Sequence, residues 1–190
     1  MKSPVLAGYL VAGLAVASVG CSSSSTSSST TVAPTTTAAP IPAGHAPVLL
    51  DRIRPAIAAL ETSLGGPQQY FEVNATVTLV NLFVATDNAT KAVAYVFDGD
   101  GVLERPADPL PASGPTFSAA ALTFDETRVM ALTVSQLPTS TFLRFSVTGV
   151  QGGGVSYAIT AGSDTGTEFQ VLVGPTGDVL GTDQLTPTES

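Results

Sequence analysis

The chain has 190 residues, a formal net charge of −8 and a sequence pI near 4.3. A single Cys and a single His exclude an internal disulfide, a cysteine-built zinc site and any multi-histidine metal site. Only 7 Lys+Arg against 15 Asp+Glu argues against a nucleic-acid partner, because binding phosphates needs a clustered basic surface.

Residues 1–20 read as an export signal. Lys2 gives a short positive start, and Val5–Ala17 is an apolar run interrupted only by Gly and Tyr9. That run is shorter than the about 20 apolar residues a membrane-spanning helix needs. Ser18-Val19-Gly20 follows, and then Cys21. This arrangement resembles a bacterial lipoprotein signal, which is cut before the cysteine so that the thiol can receive a diacylglyceryl group. Gly20 and Val19 match that pattern, and Ser18 stands where the family carries Leu or Val. The resemblance implies lipidation of Cys21 and attachment to the outer face of the cell membrane. A second reading stays open: cleavage after Ala15-Val16-Ala17 would release a soluble secreted chain with a free thiol.

Ser22–Thr31 is an unbroken Ser/Thr run, and Val32–Pro42 is rich in Thr, Ala and Pro. With little apolar surface to offset ordering entropy, residues 22–44 are predicted to form a disordered tether. As a flexible coil it would span about 26 Å, and its Ser/Thr density suits O-glycosylation. This composition is similar to that of lipoproteins from high-GC actinobacterial envelopes.

A helix is predicted from Pro47 to Leu64, because Leu49, Ile53, Ile57, Leu60 and Leu64 share one helical face. Pro55 should kink it or start a second helix there. Gly65-Gly66-Pro67 is a stop signal. Strands are predicted at 70–76 and 78–85, rich in β-branched and aromatic residues, at 91–97, where Val93, Tyr95 and Phe97 alternate on one face, and, briefly, at 102–104. Residues 105–116, with four prolines, read as a linker between unit 1 (45–104) and unit 2 (117–183). Unit 2 should open with a helix over 126–137, capped by Asp125, stapled by Phe124 and Val129, and buried along Met130, Val134 and Leu137. Strands follow at 142–148, 155–161, 167–173 and 179–180, and then a disordered tail over 184–190.

The two units share one order of elements. Phe71 and Phe145, and likewise Tyr95 and Phe169, stand at the same spacing of 74 positions, as a duplication would place them. The expected class is α+β: two similar units, each a helix packed on an antiparallel sheet of three to four strands. The organisation over 46–183 resembles tandem PepSY-type or β-lactamase-inhibitor-protein-type units. That resemblance implies an inhibitor-like or other binding role.

The chemistry-bearing residues do not assemble into a catalytic pattern. Asp98-Gly-Asp100-Gly101, near Glu104 and Asp108, lacks the spacing of a calcium loop and reads as a hairpin turn. His45 has no nucleophile motif beside it, and Gly152–Gly154 lacks the Lys and Ser/Thr of a phosphate loop. The carboxylates Asp51, Glu61, Glu72, Asp87, Asp125, Glu126, Asp164, Glu168 and Asp178 show no pair-forming spacing. Asn74-Ala-Thr76 and Asn88-Ala-Thr90 match the N-glycosylation triplet, which turn-rich sequences produce by chance. The reading is therefore a non-enzymatic envelope lipoprotein with no cofactor or metal. Its contacts would be the membrane, through Cys21, and an envelope protein partner. Two alternatives remain. One is a carrier holding an apolar ligand among Leu82, Val84, Ile159 and Val171. The other is a hydrolase using two inward-facing carboxylates.

Overall fold

A computed structural model describes residues 48–104 and 108–184. The signal, Cys21, the tether, His45 and residues 185–190 lie outside the described residues, as does the part of the linker at 105–107.

The first helix begins as a 3-10 turn at Leu50–Arg52 and continues as α1, Ile53–Leu64. Pro55 therefore falls in the first turn of α1, where its missing N–H costs no intrahelical bond, and the helix starts there rather than kinking. Ile53, Ala56, Ile57 and Leu60 are buried, and each of the larger three contributes about 1.5–3 kcal/mol by leaving water. Gly65 ends the helix at φ 81°, a left-handed conformation that favours glycine. The Gly66 N–H then donates to the Glu61 carbonyl at 2.8 Å.

Four strands follow: β1 (Tyr70–Ala75), β2 (Val80–Thr86), β3 (Lys91–Phe97) and β4 (Val102–Glu104). A two-residue strand, β5 (Leu110–Pro111), pairs with β3, and Phe117 bridges Tyr70. Part of the segment expected as a linker is thus fastened to the first half by backbone bonds. Proline does not prevent this, because each contact is short and lies at the margin of the sheet.

α2 (Glu126–Gln136) begins as the sequence indicates, with the Asp125 carboxylate accepting the Arg128 N–H at 2.9 Å. Its buried side differs from the expected stripe. Val129 and Thr133 are fully covered, whereas Met130, Val134 and Leu137 are only partly so. Thr133 tolerates burial because its hydroxyl donates to the Val129 carbonyl at 2.7 Å. β6 (Thr141–Val150), β7 (Gly154–Gly162), β8 (Glu168–Val173) and β9 (Val179–Gln184) complete the chain. β9 is three times the length expected, six residues rather than two. Gly152 and Gly153, at φ 91° and 83°, make the tight β6–β7 turn.

These strands form one antiparallel sheet in the order β4-β3-β2-β1-β6-β7-β8-β9. The class is α+β, as expected, but the strands of both halves join directly where Val73 pairs with Val147 and Ala75 with Phe145. The spacing of 74 does not describe the register. β1 is bulged at Phe71, between Tyr70 and Glu72, and β6 is bulged at Leu143, between Phe142 and Arg144. Phe71 is therefore half-buried beside the bulge while Phe145 is fully buried. The inward lattices nonetheless correspond. Tyr70, Val73 and Ala75 pair with Val84, Leu82 and Val80, just as Phe142, Phe145 and Val147 pair with Ala161, Ile159 and Tyr157. Val80, Leu82 and Val84 pair with Phe97, Tyr95 and Val93, just as Tyr157, Ile159 and Ala161 pair with Val173, Val171 and Phe169.

Those inward residues and the buried sides of α1 and α2 form a single core. At its centre Phe124 meets Phe145 at 5.2 Å and Tyr157 at 5.5 Å. Arg54 of α1 crosses to the segment before α2. Its guanidinium donates to the carbonyls of Phe124 at 2.9 Å and Leu122 at 3.3 Å, pairs with Glu126 at 2.9 Å, and lies 5.0 Å from the Phe124 ring centre. Two glycines permit close crossings. A Cβ on Gly149 would lie 2.5 Å from the Pro115 carbonyl oxygen, and one on Gly177 would lie 2.7 Å from the Val129 Cα.

Candidate interaction surface

Side chains along a strand alternate between faces, so the residues between the core positions point away from both helices. On this second face β2 places Asn81 and Phe83, β3 Ala94 and Val96, β1 Glu72 and Asn74, and β6 Arg144, Ser146 and Thr148. β7 adds Ser156, Ala158 and Thr160, and β8 adds Gln170 and Leu172. Among the described residues, no helix covers this face. Its centre is polar, and of these residues only Glu72 and Arg144 are charged. The Asn81 amide donates to the Asn74 amide oxygen, and the Asn74 amide donates to the Glu72 carboxylate, both at 2.8 Å. This ladder holds Asn74 only 4 % exposed with its hydrogen bonds made. Asn74 sits opposite Ser146 and Ser146 opposite Ala158, giving a row of short side chains across the strands.

Of the residues singled out from sequence, Glu72 and Asn74 meet on this face, and the others are placed elsewhere. Asp98 folds its carboxylate onto the Asp100 N–H at 3.0 Å, the hydrogen bond of a local turn, and among the described residues no His, Cys, Asp or Glu cluster suited to a metal occurs. The Glu61 carboxylate accepts from the Gln68 N–H at 3.1 Å and the Tyr70 hydroxyl at 3.3 Å. Tyr70 is fully buried, and burial, followed by the neighbouring Glu61, pushes its phenol above the usual tyrosine range. Asp125 caps α2, Glu126 pairs with Arg54, and Asp87 pairs with Lys91 at 2.7 Å. Asp51, Asp164, Glu168 and Asp178 are exposed. Leu82, Val84, Ile159 and Val171 are all buried in the core. Of the two glycosylation triplets, Asn74 is enclosed in the sheet and Asn88 stands exposed in the β2–β3 turn.

Sequence reasoning missed the Glu72–Asn74–Asn81 ladder. Its signal was Asn at an interior position of two adjacent strands, an uncommon strand residue that asks for a partner. Among the described residues, no helix is long and apolar enough to cross a membrane. Compared with protein-family models, curated proteins and solved structures, the chain matches none.

Proposed function

We propose that this protein is a lipid-anchored component of a bacterial cell envelope whose sheet is a non-catalytic binding surface. The observation that carries the reading is the arrangement of the sheet: among the described residues both helices pack on one face, and the centre of the other is a hydrogen-bonded row of short polar side chains ending on the single carboxylate of Glu72. A face that needed only solubility would carry more charge. The leader ending at Cys21 and the Ser/Thr/Pro tether 22–44 support attachment to the outer face of the membrane, with the domain held within reach of an envelope protein partner.

The matched inward lattices and the matched bulges at Phe71 and Leu143 support descent of the two halves from one duplicated helix-plus-sheet unit. In that arrangement the two copies share a sheet and turn the same face outward. This layout suits an inhibitor-like or scaffolding role.

The test is capture from envelope extract with the Cys21→Ala chain, beside a Thr148→Lys/Leu172→Lys form that charges this second face. The reading predicts a defined partner for the first and its loss with the second. Recovery of nothing above background, or equal capture by both, contradicts it.

A further inference from the structure

The sheet ends at β9, beyond which no described strand follows. Natural edge strands are guarded by lysine, proline, bulges or a covering element. β9 contains neither Lys nor Pro. It has one bulge, at Leu180, since Gly181 pairs with Leu172 but Val179 already pairs with Val173. That bulge turns the Leu180 side chain into solvent, where it is 71 % exposed, more than any other large hydrophobic residue among those described. Past the bulge the register is regular: Gly181, Thr182, Asp183 and Gln184 pair in turn with Leu172, Val171, Gln170 and Phe169. Along this regular stretch alternate residues direct their backbone N–H and C=O groups to the outer side, next to an exposed apolar anchor.

The charge of this border selects what it can accept. Residues 163–184 include Asp164, Glu168, Asp178 and Asp183, and no Lys, Arg or His. All four acids are exposed, and among the described residues none has an ion pair within 4 Å. A second copy docking edge to edge would bring the same acids against them, which like-charge repulsion disfavours. An extended segment bearing lysine or arginine would meet opposite charge at Asp183 and Asp178 while its backbone continued the ladder.

We propose that the β9 edge, Gly181–Gln184 with Leu180 beside it, binds an extended basic polypeptide segment as an added strand. This rests on the reading of the sheet as a binding surface and gives that surface a partner chemistry.

The experiment is amide NMR of the Cys21→Ala chain titrated with a capped ten-residue peptide of alternating Lys and Val. A Glu/Val peptide is the matched control, and Leu180→Lys/Asp183→Lys is the edge variant. The expected result is shifts on residues 180–184 and their β8 partners with the Lys peptide only, salt-weakened, and about ten-fold weaker binding by the variant. No shifts, equal response to both peptides, or shifts confined to another surface overturn the inference. So does concentration-dependent self-association through β9, which would make a second copy the occupant. Partner capture by the edge variant at the unmodified level would leave the binding reading standing while the edge assignment failed.

Discussion

Replacing Arg54 with Ala removes the only polar link described between α1 and the segment that leads into α2. Arg54 makes two charge-assisted bonds to the carbonyls of Leu122 and Phe124, one ion pair to Glu126 and a cation–ring contact to Phe124. Hydrogen bonds to charged groups contribute about 1.5–3 kcal/mol each when well enclosed. The Arg54 side chain is 44 % exposed and one bond is long at 3.3 Å, so water replaces much of that on deletion. The ion pair and ring contact add about 0.5 kcal/mol each at such exposure. A loss of about 2 kcal/mol follows for Arg54→Ala. With a urea slope of about 2 kcal/mol/M for a domain of this size, the unfolding midpoint should fall by about 1 M at unchanged slope. Glu126→Ala should cost about 0.5 kcal/mol, because it removes only the ion pair and leaves both carbonyl bonds. Arg54→Lys should recover less than half, since a point charge cannot span both carbonyls. A loss under about 0.5 kcal/mol for Arg54→Ala, or equal losses for Arg54→Ala and Glu126→Ala, would refute the clamp.

Two further outcomes follow from local geometry. Gly149→Ala pushes a methyl to 2.5 Å from the Pro115 carbonyl oxygen, so melting should fall by an amount equivalent to about 1–3 kcal/mol, whereas Gly101→Ala, with open space around it, should be near neutral; equal melting temperatures would mean that the 115–116 crossing is not held against β6. Tyr70 keeps its proton in the folded state to higher pH than the unfolded chain, where a phenol titrates near 10. Its stabilisation is complete below pH 10 and is lost as pH rises toward the folded value. Stability should therefore decline by up to about 1.4 kcal/mol per pH unit above pH 10. Tyr70→Phe should flatten that decline, and an unchanged slope would locate the alkaline loss elsewhere.

Much of this fold is written locally. The spacing of Ile53, Ile57 and Leu60 defines α1, Gly65 stops it, Asp125 starts α2, and paired glycines at 152–153 turn β6 into β7. What the sequence did not disclose depends on contacts between distant positions. The β1–β6 pairing that fuses both halves brings residues about 70 positions apart together, and nothing in either strand alone specifies it. The bulges at Phe71 and Leu143 correspond, with Tyr70 and Phe142 before them and Val73 and Phe145 after them each 72 positions apart, so a spacing of 74 set Phe71, on a bulge, against Phe145, at a core position. Thr133 was hidden because its burial depends on a hydroxyl bond within its own helix. The surface was legible only in part: Asn at 74 and 81 hinted at a polar ladder, while β9, the last described strand of the sheet, followed a Gly-rich turn that made the strand look brief.

Lipid attachment at Cys21 decides where the protein resides, and intact-mass analysis of the protein extracted from its own membranes measures it. The expected species begins at Cys21 and carries a diacylglyceryl group, and Cys21→Ala abolishes both the added mass and membrane retention. A chain beginning at Ser18, recovered in the soluble fraction with an unmodified thiol, would contradict the account.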